Sequence, residues 1–214
     1  MIKLIAFDCD GVLFDSRQAN IAFYNAILAH FERPPLSPES VDYIHSHTVR
    51  ESLEHLLKGY AELEAAVSFA RTFDYHPYIA MMVEEPHLRD FLDFLRPGRH
   101  LALATNRTTT TRAVLSYHGL ADRFDLVVSA QDVRHPKPHP EAFQLILEHF
   151  SLQPQEAIYI GDSPVDEAFA ANAGVPLVAY RNPGLNAAYH LDSFAAGPDL
   201  IRSLSNKGLK RSQP

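Results

Sequence analysis

A single cysteine, Cys9, stands in the 214 residues of this chain. That excludes an intrachain disulfide and fits a reducing compartment. No run of 18 apolar residues exists, so nothing reads as a membrane span. The apolar start, MIKLIAFDCDGVLF, holds two aspartates and lacks a small-residue cleavage site, so it does not read as a signal peptide. Positive charge is also short: 19 Lys and Arg against 26 Asp and Glu give a formal −7. This balance argues against nucleic acid or an anionic membrane as a partner. An anionic ligand would have to be drawn in by a local device, such as a metal ion or a placed lysine. No internal repeat or low-complexity segment is found. What is present, 46% hydrophobic and 21% charged residues, is the composition of a globular protein. The expectation is one domain, or a core with a smaller lobe, in the cytoplasm.

Five short apolar runs read as buried strands: residues 2–7, 100–106, 125–130, 156–162 and 174–180. Helical stretches follow most of them, and this alternation predicts a Rossmann-like, doubly wound parallel α/β sheet. Ligands in such sheets bind beyond the carboxyl ends of the strands. Asp8, Asp10, Thr105, Asn106 and Asp162 fall there. Residues 16–86 break the alternation, with helical apolar spacing and no clear strand. They read as a helical insertion after the first strand, which leaves 1–15 and 87–214 as the sheet-bearing core. Lys207 to Arg211 read as a frayed basic tail.

Asp8 and Asp10 are two apart, so on a strand they share a side and Cys9 faces the other way. Two close carboxylates repel unless a divalent cation sits between them or one is protonated. Gly11 lets the chain turn sharply after them. In GDSPVD, Asp162 or Ser163 reads as a helix cap with Pro164 in the first turn, and capping is compatible with metal binding. Lys137 lies in HPKPHP, where prolines limit the reach of its ammonium. Thr105 and Asn106 offer a hydroxyl and an amide to an oxyanion.

Taken together, DCDGVLFDS, ATN, HPKPHP and GDSPVD, in that order, resemble the haloacid dehalogenase-like hydrolase superfamily. The branch resembled is the phosphoglycolate phosphatase-like one, whose cap falls where the helical insertion lies. The resemblance implies a phosphatase acting on a small phosphorylated metabolite, with no nucleic acid or membrane partner, as a monomer or homodimer. It implies Asp8 as nucleophile and Asp10 as general acid and base. It also implies Thr105 as a phosphate-binding hydroxyl and Lys137 as the balancing charge. Mg²⁺ would be held by Asp8, Asp10 (through its backbone carbonyl) and Asp162, with Asp166 supporting the metal site or the lysine.

A sugar phosphomutase of the β-phosphoglucomutase kind is the alternative, although Asn20 stands where those enzymes characteristically carry histidine. A signalling receiver fits poorly, because DLVVSA ends without an acceptor aspartate. Lys58, in a helical segment, reads as a solvated residue rather than a Schiff-base lysine. Specificity is expected from 45–52, where His47, Thr48 and Arg50 are candidate substrate contacts, with Arg50 suited to a carboxylate. His135 and His139, separated by prolines, do not read as metal ligands. Residues 181–184 follow the fifth strand and read as a loop at the edge of the site.

Overall fold

In a computed structural model, which describes residues 1–210, the chain opens on β1 (Leu4–Phe7), followed by β2 (Phe14–Asp15). Helices α1 (Arg17–His30), α2 (Val41–Ser46), α3 (Val49–Leu56), α4 (Leu63–Thr72) and α5 (His76–Ile79) come next. Then come β3 (Val83–Glu84), α6 (Leu88–Leu95), β4 (His100–Thr105), α7 (Thr111–Tyr117) and β5 (Leu126–Ser129). The chain ends through α8 (Glu141–Phe150), β6 (Ala157–Gly161), α9 (Pro164–Ala173), β7 (Leu177–Tyr180), β8 (Tyr189–Leu191) and α10 (Gly197–Lys210).

Six strands form one parallel sheet in the order β5-β4-β1-β6-β7-β8. The chain builds leftward from β1 through β4 to β5, then restarts on the other side with β6. The order therefore reverses beside β1, and the crevice at such a reversal is where open α/β sheets bind ligands. Asp8 follows β1 and Asp162 follows β6, one on each wall of that crevice.

Side-chain alternation divides the sheet between two apolar layers. Ile5, Phe7, Leu101, Leu103, Ile158, Ile160, Val178 and Tyr180 join one layer; this layer continues through α6 into the helical segment. Leu4, Ala6, Ala102, Ala104, Tyr159 and Ala179 join the other, with Phe143 of α8 and Phe169 of α9. The alanines of this second face leave room for the Tyr159 ring and, beyond it, for a buried lysine.

The long insertion is helical because its apolar residues recur at three- and four-residue spacing. In α1 the buried residues are Ala19, Asn20, Phe23, Tyr24, Ile27 and Leu28, a single face. The antiparallel ribbon of β2 and β3 gathers the two chain crossings, pairing Phe14 with Glu84 and Asp15 with Val83. This ribbon and β8 are absent from the sequence reading, being two or three residues long, too short to show a period. The basic tail expected to fray has helical backbone through Lys210, and Arg211 lies outside the described residues. Among the described residues, no helix is long and apolar enough to cross a membrane.

Candidate active site

Asp8 leaves β1 on the same side as Leu4 and Ala6, and there it meets Lys137. The Lys137 ammonium lies 2.8 Å from Asp8 Oδ1 and donates to Asp166 Oδ1 at 2.7 Å and to the Tyr159 hydroxyl at 2.9 Å. Two hydrogen bonds therefore go to Asp166 and Tyr159, and the contact with Asp8 is an ion pair that leaves Asp8 Oδ1 without a hydrogen-bond partner. Lys137 is only 3% exposed, so it is not a solvated loop residue. The Tyr159 hydroxyl lies 2.9 Å from Asp166 Oδ1 and 3.1 Å from the Ala104 carbonyl. Burial alone would lower the Lys137 pKa, but Asp166 and Asp8 raise it above the ordinary lysine value.

Asp166 is fully engaged. Its Oδ1 accepts from Lys137 and Tyr159; its Oδ2 accepts from the backbone N–H groups of Asp162 and Ser163 and from the Ser163 hydroxyl at 2.7 Å. A carboxylate has about four lone-pair positions, so none is left for a cation. Burial works to raise its pKa, but Lys137 outweighs it and the net shift is downward. Ser163 is the cap of α9, in a reciprocal box with Asp166. The Asp162 carboxylate is thereby left free of capping duty.

That freedom decides what the site can hold. Asp162 Oδ1 is buried with no hydrogen-bond partner, a costly condition for a polar atom. The carboxylate packs so closely over Gly11 that a Cβ there would meet Oδ2 at 2.1 Å, and Gly11 itself has φ +77°. Only glycine satisfies both demands. Burial, joined by Asp166 and Asp8, pushes the Asp162 pKa well above its ordinary value. Asp8 is pushed up to about 7 by burial, opposed by Lys137 and reinforced by Asp166. Three buried carboxylates face one ammonium, so two negative charges stand uncompensated when all are ionised. A divalent cation with oxygen ligands fits that deficit. Oxygens of Asp8, Asp162 and Asp166 converge within 4.8 Å, and the saturation of Asp166 leaves Asp8 and Asp162 as the candidate side-chain ligands.

Asp10 has a separate environment. Ser16 Oγ donates to its Oδ1, and Arg107 Nε lies 3.5 Å from its Oδ2. Arg107 is the functional candidate that the sequence reading missed. It sits at the mouth of β4, 9% exposed, directly after Thr105 and Asn106. The available signal was negative: no acidic residue lies between Asp93 and Asp122, so a surface arginine here has no local partner. Burial would lower its pKa, yet Asp10 and Tyr75 more than offset this and keep it protonated.

Other expected residues divide. Thr105 is buried beside Asp8, and its Oγ1 accepts the Arg107 N–H at 3.1 Å while its own proton stays available. Asn106 differs from expectation: its amide donates to the carbonyls of Ser46 at 3.1 Å and Lys137 at 3.0 Å. Both hydrogens are used, so it straps the helical segment to the lysine loop rather than binding an oxyanion. Arg50 also differs, pairing with Glu64 through both terminal nitrogens on the surface, away from the cavity that holds Asp8. Thr48 caps α3 in a box with Glu51. His47 lines the cavity, stacked on Tyr43. Asn182 edges the site, donating to the Asp162 carbonyl at 2.7 Å. Cys9 is buried in the opposite apolar layer, and burial pushes its thiol pKa up. His135 and His139 meet over Glu141 on the surface, but that carboxylate already accepts the N–H groups of Arg134 and His135.

The pairing of Lys137 yields a stability prediction. Lys137→Ala strands two buried carboxylates, a change that costs about 3–5 kcal/mol when a buried pair is broken. Asp8 has a raised pKa, so acid neutralises it first and relieves the repulsion. Urea unfolding without divalent cation should therefore show a larger deficit for Lys137→Ala at pH 8 than at pH 5.5. An equal deficit at both pH values contradicts the charge argument.

Comparison with known proteins agrees with this geometry. Residues 5–180 match the family model of the haloacid dehalogenase-like hydrolases. The pyrophosphatase PpaX of Bacillus velezensis is 30% identical over 175 residues, covering 81% of this chain and 80% of the relative. Phosphoglycolate phosphatase 1 of Pseudomonas aeruginosa is 31% identical over 189 residues, covering 83% and 68%. The crystal structure of a haloacid dehalogenase-superfamily hydrolase from Geobacter sulfurreducens superposes with TM-score 0.82 at 39% identity, covering 94% of this chain and 100% of that one. With its parallel sheet, its paired aspartates after β1 and its buried lysine, the chain belongs to the haloacid dehalogenase-like hydrolase family.

Proposed function

We propose that the protein is a Mg²⁺-dependent phosphatase that hydrolyses a small phosphomonoester through an aspartyl phosphate on Asp8, with residues 16–86 acting as a cap over a core formed by 1–15 and 87–214. The observation that carries this reading is the different company of the two aspartates. Asp8 faces Lys137 and the unpartnered Asp162, whereas Asp10 faces Ser16 and Arg107. This difference supports a nucleophilic role for Asp8 and a proton-carrying role for Asp10.

Asp8, Asp162 and the Asp10 backbone carbonyl would hold Mg²⁺, whose chemistry is to neutralise charge on the phosphoryl oxygens and orient them. Hydrolysis of phosphate monoesters is among the slowest uncatalysed reactions, with accelerations up to ~10²¹. Positioning and charge neutralisation supply most of what is needed. An Asp8 carboxylate oxygen attacks phosphorus in line, and the bond to the bridging oxygen breaks. The electron pair leaves on that oxygen, which takes a proton from Asp10. Lys137 and the Thr105 hydroxyl bear on the same charge as it develops. Water then attacks phosphorus and gives a proton to Asp10. The bond from Asp8 to phosphorus breaks, and both aspartates return to their starting states.

The helical segment supplies the remaining requirement, a site from which bulk water is excluded. Asn20, His45 and Tyr75 from that segment line the cavity shared with Asp8 and Asp10. The strap from Asn106 to Ser46 closes one side.

Chelation by EDTA should abolish turnover of p-nitrophenyl phosphate, and added Mg²⁺ should restore it; turnover indifferent to both contradicts the metal assignment. Asp8→Asn and Asp10→Asn should fail differently. An aryl leaving group scarcely needs a proton, so Asp10→Asn should release a burst of nitrophenol and then stall with phosphate on Asp8. Rapid quench with peptide mass spectrometry reads this directly. A burst retained in Asp8→Asn, or phosphate on another residue, overturns the mechanism.

A further inference from the structure

The phosphatase reading leaves Arg107 without a task, and the surroundings of this residue assign it one. Its guanidinium is a permanent cation held in the cavity that also contains Asp8, Asp10 and Thr105. Its side chain is 6% exposed, and Nε is buried with no hydrogen-bond partner. Burying an arginine is costly unless its donors are satisfied. The nearest anion, Asp10 Oδ2, stands 3.5 Å away from Nε, beyond a charge-assisted hydrogen bond.

The far end of the guanidinium is fixed by a chain whose polarity has no freedom. Arginine only donates, so Nη2 donates to the Tyr75 hydroxyl at 2.6 Å. Tyr75 then donates to Asn20 Oδ1 at 3.2 Å. The Asn20 amide in turn donates to His45 Nδ1 at 3.2 Å. Tyr75, Asn20 and His45 all come from the helical segment, so they hold the fork in place at the wall of the cavity that Arg107 lines. Such pre-organisation suits an oxyanion that arrives with the substrate.

Position limits what that oxyanion can be. Asp10 is where the leaving oxygen must lie to receive its proton, and Arg107 adjoins Asp10. A group held by Arg107 therefore stands near the leaving oxygen. The cavity measures about 70 Å³, against roughly 10–15 Å³ for one water-sized occupant. A leaving group of a few non-hydrogen atoms fits. Arg50, the sequence-level candidate for this task, is committed to Glu64 on the surface.

We propose that Arg107 is the specificity residue for a second anionic group on the leaving side of the substrate, a carboxylate or a phosphate close to the bridging oxygen. The proposal rests on the phosphatase reading and narrows it.

The test compares 2-phosphoglycolate and inorganic pyrophosphate with ethyl phosphate, which matches the first in length but ends in a methyl group. The wild-type protein should favour at least one acidic compound over ethyl phosphate by tenfold or more in kcat/KM. The acid favoured identifies carboxylate or phosphate as the natural group. Arg107→Ala should collapse that ratio towards one, mainly through KM. Arg107→Lys should keep part of it, since charge survives without the two-pronged geometry. Tyr75→Phe removes only the brace and should shift the ratio the same way by a smaller factor, which keeps the test open if Arg107→Ala does not fold. Turnover of all three compounds without preference overturns the proposal and leaves the phosphatase reading standing. Equal losses on every compound in Arg107→Ala overturn it too, assigning the residue to the transferred phosphoryl group or to Asp10. No turnover of any of them overturns the proposal, and takes down the phosphatase reading as well only if p-nitrophenyl phosphate is also left intact.

Discussion

The Lys137 ammonium, held between Asp8 and Asp166, is the interaction on which the rest of the site depends. An ammonium out of water costs several kcal/mol unless its donors are met, and meeting them recruits distant parts of the chain. Tyr159 comes from β6, Asp166 from the first turn of α9, and Asp8 from the end of β1. Asp166 is itself anchored by the Ser163 cap and the backbone of Asp162. The small residues of β1 and β4, Ala6, Ala102 and Ala104, leave space for this cluster on one face of the sheet. A change at any of these points reaches the carboxylate of Asp8.

Two aspartates two residues apart thereby acquire different chemistry. Asp8 shares its surroundings with Asp166 and Asp162, an excess of negative charge suited to a divalent cation. Asp10 shares its own with the Ser16 hydroxyl and the Arg107 guanidinium, apart from that excess. In the proposed mechanism, environment rather than residue type separates the nucleophile from the proton carrier. Gly11 contributes by absence, since a side chain there would displace Asp162, the second of the proposed metal ligands.

Much of this was legible in the sequence. Apolar runs ending in polar residues marked the strands, and the four motifs marked the catalytic edge, because charge at the end of a buried strand demands a partner. Register and partner choice were not legible. Nothing in HPKPHP says that Lys137 turns inward, since its partners Tyr159 and Asp166 are 22 and 29 residues away. Arg50 looked available because its partner, Glu64, lies on another helix. Arg107 carries no positive signal in the sequence because Tyr75, which fixes it, is 32 positions earlier. Short strands such as β8 carry no period at all, and only the edge of β7 makes them strands.

The central claim is that phosphorus changes partners twice, first to Asp8 and then to water. Each in-line displacement inverts configuration, so two of them restore it. Hydrolysis of a phosphate ester made chiral with oxygen isotopes, in isotopically distinct water, and configurational analysis of the phosphate released, tests this most directly. Net retention is the predicted result. Net inversion would mean that water attacks the substrate in a single step, and would contradict the account of Asp8.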